Sequence, residues 1–259
     1  MEVEFAAINQ WIASYFLPFC RFGGLFIAMI VIGSRTVNTR TRLILALSVS
    51  VCSAPLIQPT VAIDLFSLEV VVQAVVQTLI GVGIGFITRV VFETFVIAGQ
   101  VVAMQTGLGF ASLIDQSTGV SVPTLGQMFV MMATLIFLSI DGHLSMINIV
   151  VTSFETLPIN ESGMFFVQLD KLIYWAQLMF TTGFMMVLSA IVALLVMNLS
   201  LGVMTRSAPQ LNIFAVGFPI MTVVGMTIIW LLLKSFLPHF IDQIQRGETL
   251  ACELIMVEC

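Results

Sequence analysis

The sequence predicts an all-α, membrane-associated fold built from helical hairpins, several of them bent or broken. Composition is the first reason: 59% of the 259 residues are apolar and 9% charged, with a mean hydropathy of +1.11. Soluble domains run at about 45–50% apolar and 25% charged, so this chain has too few charges to cover a water-facing surface of its size. The second reason is segmentation into apolar runs of about 20 residues, enough to cross roughly 30 Å of hydrocarbon as a helix. The third is that no run alternates with the period of a barrel strand, and in lipid a helix is then the way to satisfy the backbone.

The runs follow in order. Trp11 to Ile32, Leu43 to Ile63, Val70 to Thr88 and Val90 to about Ala111 each have the length of a crossing. Beyond a Gly/Ser/Thr-rich loop the pattern becomes irregular. Leu125 to Ile140 and Leu144 to Thr152 are short and separated by Asp141-Gly142-His143, and a polar connection runs from Glu155 to Lys171. Leu172 to Met204 is longer than one crossing needs, and Leu211 to Leu237 is interrupted by Gly217 and Pro219. Interrupted segments of this kind usually mark backbone buried in protein or lining a cavity.

Charge gives a partial topology and excludes some functions. Arg35, Arg40 and Arg42 cluster without an acid, whereas Asp64 and Glu69 occupy the next connection without a base. The positive-inside rule puts residues 33–42 in the cytoplasm and residues 64–69, with the N-terminus, on the other side. A net charge of −5 provides no footprint for nucleic acid. Glu2 and Glu4 stand where a secretory signal carries Lys or Arg, so no cleavage is expected. Cys20, Cys52, Cys252 and Cys259 show no C-x-x-C spacing and are expected to be packing residues. With His143 and His239 the only histidines, a H-E-x-x-H zinc helix is impossible, and no catalytic or metal residues are expected. Met128, Met131, Met132, Met185 and Met186 fall at helical spacing and suit packing, or else a soft gasket around a conduit.

Three polar features lie inside the apolar runs. Arg21 is near the middle of the first, beside Pro18, Gly23 and Gly24. A central Arg costs about 2.5–3.5 kcal/mol on insertion scales, so either Pro18 breaks the run and Arg21 sits at an interfacial kink, or Arg21 is buried against an acid or carbonyls of another element or subunit. Gln73, Gln77, Gly81, Gly85 and Arg89 recur every fourth residue. Small residues allow close backbone approach and amides bond across an interface, so this stripe is expected at a helix-packing or subunit interface; the alternative is a lipid-facing helix with incidental glutamines. Residues 105–124 carry one charge, Asp115, between strongly apolar runs. That stretch is either an ordinary external connection or a re-entrant, pore-occluding loop for which Phe110, Leu113 and Ile114 supply bulk.

Four segments in order carry a resemblance: Arg21-Phe22-Gly23-Gly24; Ala98-Gly99-Gln100 leading into Gln105-Thr106-Gly107-Leu108-Gly109-Phe110-Ala111-Ser112; Leu138-Ser139-Ile140-Asp141-Gly142-His143; and Ala208-Pro209-Gln210-Leu211-Asn212-Ile213-Phe214-Ala215-Val216-Gly217-Phe218-Pro219. Each is weak alone, and together they are specific. Over essentially its whole length the chain resembles the FliR family of flagellar export-gate proteins, related to the T component of injectisome type III secretion systems. The last segment favours the flagellar branch. Two departures stand out: Asp115-Gln116 where the family leads one to expect Asp-Pro, and Ile220-Met221 where a base commonly follows the Gly-Phe-Pro turn.

The resemblance implies one copy assembled with several copies of FliP and FliQ into a helical gate for unfolded flagellar subunits, with FlhB and FlhA as neighbours. It implies a FliP-like part over about 1–160 and a FliQ-like hairpin part over about 170–259, in the bacterial inner membrane at the flagellar basal body, with much of the chain in bent hairpins on the periplasmic side. The matching loop, residues 106–122, is implied to plug the closed channel. Its residues are Thr106, Gly107, Leu108, Gly109, Phe110, Ala111, Ser112, Leu113, Ile114 and Asp115, with Phe110 near the constriction. No cofactor is expected, and without a nucleotide-binding motif the chain should not hydrolyse ATP. The competing readings are an injectisome T component, a secondary transporter, which would show matching interrupted halves and a charged midplane site, and an intramembrane enzyme, which would need a nucleophile and base in suitable spacing.

Overall fold

A computed structural model describes residues 2–57, 68–110, 112–114, 121–159, 169–207 and 213–257, with the backbone alone at 2–13, 110, 112–114, 121–123, 169, 205 and 213–216. Helices dominate: α1 (Glu2–Ala28), α2 (Thr39–Ser53), α3 (Leu68–Gln105), α4 (Thr124–Ser139), α5 (Gly142–Thr156), α6 (Leu169–Ser207) and α7 (Ile213–Leu254). The described residues add two 3₁₀ turns and a three-residue hairpin of β1 (Ser112–Ile114) and β2 (Ser121–Pro123). Three helices, α3, α6 and α7, are long and apolar enough to cross a membrane, and the sharply bent pair α4 and α5 makes a fourth if taken as one span.

Several boundaries differ from the run-by-run reading. The third and fourth runs are one helix of 38 residues, α3, about 57 Å long at 1.5 Å per residue. Arg89 separates the runs in hydropathy, but a charge does not interrupt helical hydrogen bonding. The second run is cut short at Ser53, where Pro55 enters a 3₁₀ turn (Ala54–Leu56), since proline disfavours a helical residue before it and donates no hydrogen bond. Its remainder, 58–63, lies outside the described residues, as do Asp64, most of the 155–171 connection and the turn at 208–210. Pro18 does not break α1, and Gly217 and Pro219 do not interrupt α7, which continues through Pro219 and Pro238 for 42 residues. Each proline removes one backbone donor from a helix that retains many others.

The break between α4 and α5 falls where Asp141-Gly142-His143 suggests a turn. Asp141 takes the left-handed conformation (φ 56°), which Asp tolerates better than most residues. Its carbonyl then accepts from Leu144 and Ser145 N–H, starting α5.

The chain forms two compact units. The first comprises Met1–Val90, Leu138–Trp175 and Ile244–Cys259. Its core joins Leu17, Phe22, Leu25 and Phe26 of α1 with Ile80, Ile84 and Ile87 of α3 and Met146, Val150 and Phe154 of α5. The end of α7 is amphipathic here: Ile244, Leu250, Ala251 and Leu254 are buried at helical spacing. Lys171 pairs with Glu253 at 3.3 Å across two exposed side chains. Cys252 is disulfide-bonded, against the expectation that all four cysteines merely pack, whereas Cys20 and Cys52 are free. Pairing depends on proximity in the fold, which a C-x-x-C search does not test.

The second unit comprises Val91–Phe137 and Ala176–Gln243. Six fully buried phenylalanines form its core: Phe92 and Phe95 of α3, Phe129 and Phe137 of α4, Phe236 and Phe240 of α7. The rings meet at centroid distances of 5.1–5.7 Å, edge-on for Phe92 against Phe137 and Phe240, and tilted for Phe95 and Phe129 against Phe236. Such geometry adds roughly 0.5–1.5 kcal/mol per pair beyond area burial. A second cluster joins Leu194 and Leu201 of α6 with Met221 of α7. Met221, where the resemblance led to the expectation of a base, thus sits in apolar surroundings. Phe236 touches Phe95, Phe129 and Phe240, so Phe236→Ala should destabilise the chain by ~3–5 kcal/mol. Thermal unfolding in detergent should show a large drop for this variant and little change for exposed Leu195→Ala.

Candidate functional site

Two places concentrate polar or conformationally special residues: the Arg21 contacts in the first unit and the loop between α3 and α4 in the second.

Arg21 is fully buried. Its Nε donates to Gln77 Oε1 at 2.6 Å, Nη1 to the Ser153 carbonyl at 2.9 Å and hydroxyl at 2.8 Å, and Nη2 to the Leu157 carbonyl at 2.9 Å. The Ser153 hydroxyl donates its own hydrogen bond to the Val150 carbonyl at 2.6 Å, leaving a lone pair for the guanidinium. The Phe154 ring covers the cation, 4.0 Å from Cζ to centroid. Ser153 and Leu157 sit at the C-terminal end of α5, where the helix dipole concentrates negative potential, and the Ser153 carbonyl also accepts from Leu157 N–H. The buried charge is therefore compensated by carbonyls, an amide and a ring, on α3 and α5 of the same chain.

The four-residue stripe of α3 lies along α1. Gln77 bonds Arg21. A side chain at Gly81 would strike the Arg21 carbonyl, and one at Gly85 would come 2.7 Å from the Leu25 carbonyl. From the other side Gly24 abuts the Thr78 carbonyl. At the end of the stripe Arg89 Nε donates to the Ala28 carbonyl at 2.6 Å, and Thr88 Oγ1 accepts from Ile30 N–H at 3.2 Å. The backbones of α1 and α3 thus approach to a distance that only glycine permits, and Gln77 and Arg89 of the stripe bond side-chain and backbone groups of α1. Gln73 is half-buried.

The loop begins where α3 ends at Gln105. Thr106 is fully buried, its hydroxyl donating to the Ala103 carbonyl at 3.1 Å. Gly107 takes φ +78°, a conformation favouring glycine, with the Phe218 ring beside it. Leu108–Phe110 make a 3₁₀ turn, and β1 pairs antiparallel with β2 in the register Ser112 to Pro123, Leu113 to Val122 and Ile114 to Ser121. A short ladder therefore closes what composition suggests is an unstructured loop. Its base is held by close packing: a Cβ at Gly99 of α3 would lie 2.7 Å from Gly126 Cα of α4, and one at Gly225 of α7 would lie 2.5 Å from Thr106 Cγ2. Ala111, Asp115 and Gln116 lie outside the described residues, as do the side chains of Phe110, Ser112, Leu113 and Ile114, so the bulk expected of the loop is not placed.

Sequence reasoning missed Ser153 and Leu157 as partners of Arg21; a serine within a short apolar helix was the available signal. It also missed the Gly99–Gly126 approach, although both glycines flank the loop. Among the described residues no group of three or more His, Cys, Asp or Glu is placed to hold a metal ion.

Long apolar helices, a broken pair and a loop closed on glycine contacts define a polytopic helical membrane protein with a tightly held internal hairpin. Residues 12–247 match the family model for bacterial export proteins, family 1. Among curated proteins, the flagellar biosynthetic protein FliR of Escherichia coli (strain K12) is 34% identical over 232 residues, covering 88% of this chain and 87% of that protein. FliR of Pectobacterium carotovorum subsp. carotovorum is 34% identical over 235 residues (91% and 89%), and FliR of Caulobacter vibrioides 28% over 250 residues (94% and 96%). The chain belongs to this FliR family of bacterial export proteins.

Replacing Arg21 with Met keeps volume but strands the acceptors at Gln77, Ser153 and Leu157. Each orphaned buried acceptor costs about 1–3 kcal/mol, so Arg21→Met should lower stability by about 3–5 kcal/mol, measured as loss of thermal stability in detergent. Arg21→Lys, which keeps a charge but loses the planar fork, should fall between the two. Gly81→Leu should push α1 from α3 and impair both the folded chain and any complex it enters; an intact complex by native mass spectrometry with unchanged stability would contradict the close packing.

Proposed function

We propose that the chain is a non-enzymatic component of the flagellar type III protein export gate, forming with FliP and FliQ the closed channel through which unfolded flagellar subunits pass. The observation that carries this reading is the family match, which spans residues 12–247 and includes both the loop and the bent pair. The relatives compared are flagellar, which favours this branch over an injectisome T component. FlhB and FlhA are proposed as further neighbours. The site is proposed to be the bacterial inner membrane at the flagellar basal body, with much of the complex on the periplasmic side. The division into a FliP-like part, about 1–160, and a FliQ-like part, about 170–259, belongs to the same reading.

Residues 106–122 seal the channel at rest in this proposal. What supports it is the combination of a rigid base with a small, weakly built tip. Gly99, Gly126 and Gly225 let helices and Thr106 pack without side chains between them, so the ends of the loop are fixed. A ladder of three residue pairs is marginal by itself, because a two-stranded hairpin needs further packing to be stable in water. Such a tip can withdraw from a channel without unfolding its frame. Phe110, with Leu113 and Ile114, supplies the apolar bulk proposed to close the constriction; Thr106, Gly107, Gly109, Ala111, Ser112 and Asp115 supply the small and polar remainder, with Leu108 between the two glycines. The energy for transport comes from elsewhere in the complex.

Deleting 110–115 removes Phe110, β1 and Asp115 and leaves the glycine-packed base. The assembled complex carrying this deletion should leak ions or small solutes across the membrane, read as increased conductance in bilayers or inner-membrane vesicles. Normal assembly with unchanged conductance would overturn the plug assignment.

A further inference from the structure

We propose that the end of the α1–α2 hairpin binds an anionic phospholipid, with the headgroup at Arg35 and Arg40 and an acyl chain along the exposed face of α2. Four of the chain's nine Lys and Arg residues gather at this end of the first unit: Arg35, Arg40 and Arg42 from the connection and start of α2, and Arg89, which bonds the last residue of α1. Two of the four are committed to backbone. Arg42 donates to the Ile32 carbonyl at 3.2 Å and the Ser34 carbonyl at 3.0 Å, and Arg89 to Ala28. Arg35 and Arg40 are exposed, and among the described residues their guanidinium groups have no hydrogen-bond or ion-pair partner. From Gly33 to Ile63 the sequence contains no acid, in a chain whose net charge is −5. Two exposed guanidiniums without a partner among the described residues thus stand at one end of the hairpin, available to an anion.

The surface that follows identifies the anion's carrier. Leu43, Ile44, Leu47 and Val51 are each about half exposed or more and form one stripe leading away from the arginines, about 12 Å long by helical rise. The opposite face of α2, with Ala46, Ser50 and Ser53, is buried, and Ser50 bonds the Tyr15 carbonyl of α1. The one hydroxyl on the exposed stripe, Ser48, donates to the Ile44 carbonyl at 2.8 Å, so the stripe needs no water to satisfy it. A cationic end continuous with an apolar strip complements a molecule having an anion at one end and hydrocarbon beyond it. Free phosphate would use the first feature and ignore the second.

The test uses the export complex extracted in detergent with its partner chains, titrated with phosphatidylglycerol or phosphatidylcholine and read by native mass spectrometry as lipid retained. Two unpaired arginines near an anionic headgroup should favour phosphatidylglycerol by roughly tenfold or more. The Arg35→Gln/Arg40→Gln double variant should lose that preference, whereas Arg35→Lys/Arg40→Lys should keep most of it, since charge rather than a fork is required. Inorganic phosphate should not displace the lipid at concentrations comparable to it. Equal retention of the two lipids, an unchanged preference in the Gln variant, or full displacement by phosphate would overturn the proposal. A preference seen for the isolated chain but abolished in the complex would also overturn it, assigning the arginines to an acidic segment of a partner chain.

Discussion

Arg21 has no solvent to fall back on, so any of its donors left without a protein partner would cost free energy comparable to a lost hydrogen bond. Four of its five N–H groups find acceptors and a ring face covers the cation, from segments 56 to 136 residues away. A contact of this kind constrains position more tightly than apolar packing does. Leucines can slide along one another by an ångström at small cost, whereas a guanidinium that shifts by that much loses its planar geometry with every acceptor. The end of α5 is therefore indexed against α1, and α1 against α3 through Gln77. No carboxylate takes part, which avoids burying a second full charge; the partial charges of a helix end do the compensating. Arg42 and Arg89 use the same device at the end of α1 and its following turn.

α3 shows two packing solutions in one helix. Over Thr78 to Arg89 it meets α1 through glycine contacts and hydrogen bonds to backbone, an approach too close for a Cβ at Gly24, Gly81 or Gly85. From Phe92 onward it presents large rings, and the second unit's core is a set of six phenylalanines in edge-on, tilted and stacked contact. The first solution depends on the absence of side chains and is intolerant of any addition. The second depends on volume and is intolerant of loss. Neither gains from a hydrophobic effect between helices inside lipid, where acyl chains are as apolar as the side chains; close van der Waals contact and internal hydrogen bonds must supply the stability.

The helical class and the existence of a break at Asp141 were legible because hydropathy and turn chemistry act over a few residues. The helix boundaries were less so. Arg89 divides two runs in hydropathy but not in hydrogen bonding, and Pro219 falls within a helix long enough to tolerate a missing donor, so punctuation misled at both. The i+4 stripe on α3 was readable as a packing face, since Gln and Gly at that spacing suit close approach. What faced it was not, because a periodic pattern fixes a direction and not a neighbour. Ser153 and Leu157 were invisible for the same reason: one is an ordinary serine and the other contributes only a carbonyl, which every residue has. In the loop, β pairing was hidden by composition, and Phe110, Leu113 and Ile114 owe their expected role to family resemblance and bulk, with no contact of their side chains described.

Much apolar surface remains after the chain has packed. In the most apolar stretches of α6 and α7 only 28% of the residues are buried, compared with 44% in α3. Side chains such as Leu188, Val192, Leu195 and Leu199 on α6 and Val223, Met226 and Trp230 on α7 stand outward. The hydroxyls interspersed on these faces show what environment they can accept. Thr181, Ser200, Thr222 and Thr227 each donate to the carbonyl four residues earlier. A hydroxyl satisfied within its own helix does not require water, so the face can meet acyl chains or another helix without stranding a polar group. Water would leave these hydroxyls content but not the Leu, Val and Met around them, at about 25 cal/mol for each Å² of apolar area. The high apolar content of the sequence is thus divided between an interior indexed by Arg21 and the phenylalanines and a large exterior whose covering must come from lipid or from other chains.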